Sequence, residues 1–147
     1  MNDKDRIDRS IEHAWKYFEL HAQQRMTVFN FFLAIAGLVA AGIGVGLQQG
    51  SHFSILVSLL GFFLVFVSFI FWKLDQRVSS MIKLAEAALC HLEGLGVTDE
   101  ASIFSKEYNE ANGKWGKSIW TYGECFRLSF LVAGLIGALF IVVPHII

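Results

Sequence analysis

From Val28 to Trp72 the chain carries no Asp, Glu, Lys or Arg. A bilayer crossing needs about 20 apolar residues, so this run has room for two crossings and a tight connection. The first is 28–47 and the second 53–72, joined by 48–52 (Gln48, Gln49, Gly50, Ser51, His52). A third apolar run, Leu128 to Val143, reaches spanning length only if its helix begins around Ile119 to Tyr122, with Glu124 and Arg127 near the interface and Pro144 ending it. An interfacial helix is the alternative for this segment, but a run apolar on every face suits a span better. Composition agrees: 54% of the residues are hydrophobic and 17% charged, against roughly 25% charged in a soluble domain. One proline in 147 residues leaves long helices uninterrupted. The expected fold is an all-α integral membrane protein.

Charge sets the expected orientation. All 12 Lys and Arg fall before Val28 or between Lys73 and Arg127, and the 48–52 connection and the 144–147 tail hold none. The positive-inside bias places the N-terminus and the central segment in the cytoplasm of a bacterial inner-membrane protein, and the hairpin tip and C-terminus outside. Trp72, Trp115, Trp120 and Tyr122 stand beside the predicted inner ends, where amphipathic rings anchor at headgroup level. The 27 residues before the first crossing are polar and of mixed charge, with no small-residue cleavage site after the apolar run, so the first helix is expected to stay.

The segments outside the bilayer also read as helical. Ile7, Ile11, Trp15 or Ala14, Phe18 and Ala22 recur at helical spacing and lead into Val28 without Gly or Pro, which predicts one helix from about Ile7 to Leu47, roughly 60 Å long. Leu74, Val78, Met81, Ala85, Leu89 and Leu92 extend the second crossing until Gly94 and Gly96. The chain thus divides into an arm (1–27), a central helical segment (73–118) and a third span (119–143). Arm and second-helix extension should pair antiparallel, with facing residue numbers summing to about 100. That register opposes Arg25 to Asp75, Lys16 to Glu86, Glu19 to Lys83 and Arg6 to Glu93, each an opposite-charge match. A further short helix should open at a Thr98 or Asp99 cap.

Helix faces in lipid can be read for partners, because close approach of small residues and interhelical hydrogen bonds carry association there. Asn30, Ala34, Gly37, Ala41 and Gly44 form such a seam on the first crossing, and Gly42 with Gly46 adds a neighbouring small face. Ser54, Ser58, Gly61 and Ser68 form one on the second, while Ser129, Ala133 and Gly137 do so on the third. Packing three helices of one protomer uses about two of these faces. The surplus predicts that the protein also packs against itself, as a homo-oligomer, through these residues.

Several functions are argued against. No ionisable side chain lies at mid-membrane, which removes the relay a proton-coupled transporter or pump requires. A net charge of −1 supplies no polybasic footprint, so no direct nucleic-acid partner is expected. The five histidines are scattered, and Cys90 and His91 point to different sides of a helix, so neither a metal site nor a cofactor is expected. Arg6 and His13 fit only the loose two-residue pattern of HEPN ribonucleases, on a helix without a visible cleft. No enzyme is expected.

The arm HAWKYFELHAQQRMTVFNFF (13–32) and the exit FWKLDQRVSSMIKLAEAALCHLE (71–93) resemble the small membrane proteins of prokaryotic conflict systems, in particular SLATT domains and the RipA-like octameric membrane proteins. The resemblance covers roughly residues 10–95 and rests on pattern. It implies a cytoplasmically anchored hairpin that assembles in the bilayer as a pore-like effector, set off by a neighbouring soluble sensor or enzyme. The third crossing departs from that scheme, and no nucleotide-sensing domain is appended, so sensing is expected to come from a partner. The alternative is a non-catalytic scaffold that recruits a soluble partner through its arms.

Overall fold

In a computed structural model, which describes residues 3–96, 102–112 and 121–146, the chain forms four α-helices: α1 (Asp3–Gln48), α2 (Ser54–Gly96), α3 (Ile103–Asn112) and α4 (Tyr122–Val142). Three are long and apolar enough to cross a membrane. The first begins four residues earlier than its periodicity suggests and absorbs Gln48. The connection to α2 keeps its five residues but moves one position on, to Gln49, Gly50 and the 3-10 turn Ser51–Phe53. Gly50 sits at φ 78°, a left-handed backbone that a side chain would strain. Its carbonyl accepts from the Phe53 N–H at 3.1 Å, closing the turn. Pro144 lies in the 3-10 turn Val143–His145 that ends α4. Thr98, Asp99, Trp115, Trp120 and the stretch 113–120 lie outside the described residues.

The chain divides into two units. The polar unit joins Met1–Arg25 to Arg77–Thr121. Ala14 of α1 and Val78, Ile82, Ala85 and Leu89 of α2 are buried there, so the stripe runs through Ala14 and Ile82, while the predicted Trp15 and Leu74 are exposed. Ile7 and Ser10 share a cavity of about 290 Å³ with Leu92 and Leu95, so the hairpin register of about 102 lies close to the predicted one. Two of the predicted ion pairs give way to partners on the arm itself. Lys16 bonds Glu12 at 2.7 Å along its own helix, and Glu19 accepts from Gln23. An i,i+4 partner is reached with less side-chain ordering than one across an exposed groove.

Helix α3 seats on this pair through aromatic rings. Phe104 meets Phe18 edge-on at 5.4 Å and Trp15 at 6.0 Å. Its N-terminus is capped from α2: Glu93 accepts from the N–H groups of Phe104 (3.2 Å) and Ser105 (2.9 Å) and from the Ser105 hydroxyl (2.9 Å). Desolvation pushes the Glu93 carboxyl up, but these donors outweigh it and hold it below the usual glutamate range. Glu86 moves the opposite way, raised by burial and by Glu107 against the pull of Lys83 and Arg25.

The consequence for pH is signed. A lowered folded pKa gives stability that is complete above the ordinary glutamate range and lost as pH falls through the Glu93 value. Glu93→Ala is expected to speed amide exchange in α3 about five-fold at neutral pH, the equivalent of a helix cap of about 1 kcal/mol. The mutant's excess over wild type should shrink on acidification. Exchange in α3 that ignores both changes would show that Glu93 does not hold it.

The apolar unit joins Met26–Gln76 to Tyr122–Ile147. Its core has two layers. One holds Phe32, Val67, Phe126 and Phe130, the other Val39, Ile43, Val57 and Leu64. In the first, Phe29 stacks on Phe126 at 4.1 Å, and Phe32 meets Phe130 edge-on at 4.7 Å and Phe71 at 5.5 Å. Lipid is as apolar as these rings, so shape and ring quadrupoles, at about 0.5–1.5 kcal/mol per pair, matter more here than burial.

Candidate functional site: the small-residue faces of the crossings

Glycine positions show which small faces the protomer uses. A Cβ at Gly61 would stand 2.7 Å from the Gly137 carbonyl oxygen, and one at Gly137 would stand 2.7 Å from the Gly61 carbonyl oxygen. The backbones of α2 and α4 touch here, and only glycine permits it. Gly46 and Gly42 face α2 in the same way: a Cβ would meet Val57 at 2.6 Å and Leu60 at 3.2 Å. At Gly37 and Gly44 an added Cβ meets nothing within 4 Å.

The predicted seam residues therefore separate. Gly61 and Ser68 are buried within the protomer, and Ser54 and Ser58 are half-buried. The Ser58 hydroxyl donates to the Ile141 carbonyl at 3.0 Å and lies 3.0 Å from His145 Nε2. Its single proton is used on Ile141, so Nε2 is the donor in the second contact. The buried Ser68 hydroxyl has no hydrogen-bond partner among the described residues and faces Gly134. On α1, Asn30, Ala34, Gly37 and Ala41 are exposed and Gly44 is half-exposed. At 100° per residue these five lie about 140–220° around the helix from the core residue Val39, opposite the face packed in the protomer.

At the end of the second apolar run Trp72 is 39% exposed, with Lys73 Nζ 5.4 Å above its ring. Tyr122 is exposed at the start of α4. Close to both in sequence, the nearly inaccessible Asp75 carboxylate (2% exposed) faces Arg127 Nε at 3.8 Å, an ion pair between α2 and α4. Sequence reasoning placed Arg127 at the interface without pairing it with Asp75. The available signal was an acid one turn past Trp72 and a base near the start of the third apolar run, opposite charges at the same predicted boundary. No group of three or more His, Cys, Asp or Glu could hold a metal among the described residues.

An all-helical chain with three helices long and apolar enough to span, two of them locked backbone to backbone by glycine, is a helical membrane protein whose first helix has a small face to spare. Over residues 9–144 it matches the octameric membrane protein family (8xMP), and it belongs to that family. It is similar to CD-NTase-associated protein 19 of Escherichia coli, 54% identical over 147 residues, covering 99% of this chain and 96% of that protein. No solved structure matches it.

Proposed function

We propose that the protein is a membrane-permeabilising effector of a prokaryotic defence system, active as an oligomer assembled through the exposed face of α1. The observation that carries this reading is the contrast among glycines. Gly42, Gly46, Gly61 and Gly137 are consumed inside the protomer, whereas Gly37 and Gly44 face open space on the side that also bears Asn30. The octameric family supports self-assembly, and the relative's name ties it to a CD-NTase, the first candidate for a soluble partner.

The charge asymmetry orients it in the inner membrane with its N-terminus in the cytoplasm and its C-terminus outside. A reporter active only in the cytoplasm should be bright after Gly96 and silent after Ile147. The reverse pattern would overturn this orientation. A voltage-sensitive dye tests the function itself. Cells making abundant inserted wild type, together with its genomic neighbours, should lose membrane potential, and normal potential would count against the effector.

The scaffold remains the second reading because the polar unit exposes Trp15 (46%), Leu20 (62%) and Ile103 (68%), side chains of the kind that anchor protein partners. In that case Lys16→Glu on the arm would impair function with no voltage change at any stage.

A further inference from the structure

Within the bilayer-spanning part of α1, the surface turned away from the protomer has three sectors. Phe31, Leu38 and Val45, seven residues apart and 61%, 76% and 56% exposed, form a bulky ridge centred about 100° to one side of Val39. Leu33, Gly37, Ala40 and Gly44 form a shallow groove centred about 130° to the other side, open at both glycines. Between them lie Asn30, Ala34, Ala41 and Gln48, all exposed.

The outer faces of the other crossings offer nothing comparable. On α2 they present Leu59, Phe62, Phe63 and Phe66, and on α4 Leu131, Leu135 and Leu139, bulky side chains that suit lipid. A glycine costs a helix about 1 kcal/mol relative to alanine, and an empty glycine groove gains nothing from lipid in return. A seated side chain from another helix does repay it, through close dispersion contact. Asn30, exposed just inside the apolar span, is also poorly matched to lipid and needs water or another polar surface.

We infer that the Phe31–Leu38–Val45 ridge of one copy seats in the Leu33–Gly37–Ala40–Gly44 groove of a second copy, so that α1 helices alone form the inner ring of the assembly. This deepens the oligomeric reading above and rests on it. Cyclic symmetry permits no shift along the axis between neighbours, so equal residue numbers stand at equal heights. Leu38 then falls level with the gap between Gly37 and Ala40, and Val45 lies beside Gly44.

Ridge and groove are about 130° apart on the side away from the protomer core, close to the angle of about 135° between neighbours in a closed ring of eight. With axes about 9 Å apart, eight helices leave an opening on the order of 14 Å after their own thickness is subtracted. Asn30, Ala34, Ala41 and Gln48 line it. Small side chains keep it open, and its two amides lie near its two ends.

Disulfide cross-linking in native membranes tests this, in a background of Cys90→Ser and Cys125→Ser. Ridge and groove are different surfaces, so Leu38→Cys alone and Ala40→Cys alone should stay monomeric on denaturing gels. The double variant should give a ladder extending past the dimer. Self-cross-linking of Leu38→Cys would overturn the proposal by showing a two-fold contact. So would an unlinked double variant that native mass spectrometry finds octameric, since assembly would then use another face. A monomer in native mass spectrometry of the wild type would sink both this contact and the oligomeric reading beneath it.

Discussion

Cells producing Gly37→Leu are expected to keep the membrane potential of empty-vector cells, at expression and insertion levels where the wild type is expected to collapse it. Nothing lies within 4 Å of a Cβ at this position, so the larger side chain does not disturb the protomer, and leucine favours a helix over glycine by somewhat less than 1 kcal/mol. It fills the face through which copies are proposed to approach, and separating helix backbones by even a few ångströms removes the close contact on which association in lipid depends. Gly44→Leu should behave alike. The variant thus separates assembly from folding: an inserted protomer with wild-type helical content together with complete loss of depolarisation. Full depolarisation by Gly37→Leu would show that this face is irrelevant to activity.

Gly61→Leu should fail for the opposite reason. Even the first carbon of a side chain would lie 2.7 Å from the Gly137 carbonyl oxygen and 3.1 Å from the Ile141 nitrogen, both backbone atoms that cannot rotate aside. Helices α2 and α4 must then part, which loosens the aromatic layer around Phe130 and draws Arg127 away from Asp75. Overpacking of a tight core costs about 1–3 kcal/mol, and a leucine against backbone belongs at the top of that range, roughly a 100-fold fall in the folding equilibrium constant. Detergent-titration unfolding of purified protein measures it directly. A Gly61→Leu protein as stable as wild type would refute the backbone contact between α2 and α4.

The two glycines make the same point about legibility. In the sequence Gly37 and Gly61 look alike, each spaced at three or four residues from other small residues on a helix of the same apolar character. Spacing specifies which residues share a face, because 3.6 residues per turn is a property of the backbone alone. It does not specify what that face meets. The same holds for charge: the arm's acidic and basic residues predict an antiparallel pairing that the structure shows close to register, yet Lys16 turns to Glu12 and Glu93 to the α3 N-terminus. Side chains several bonds long choose among partners within reach, and the choice depends on which backbone donors a third helix brings near.

What the sequence determined by itself follows from solvent and periodicity. An uncharged run from Val28 to Trp72 can rest only in lipid, a single proline leaves its helices whole, and the amphipathic spacing on either side continues them beyond the bilayer. These are one-dimensional constraints, complete in the order of residues. Only the tertiary structure decided that Glu93 caps α3, that Asp75 faces Arg127, and that Gly61 is spent on Gly137 while Gly37 stays open. Each of these depends on where a distant segment comes to lie. In a bilayer that placement is set by atomic fit between surfaces of nearly equal hydrophobicity, which a pattern of polar and apolar residues does not encode.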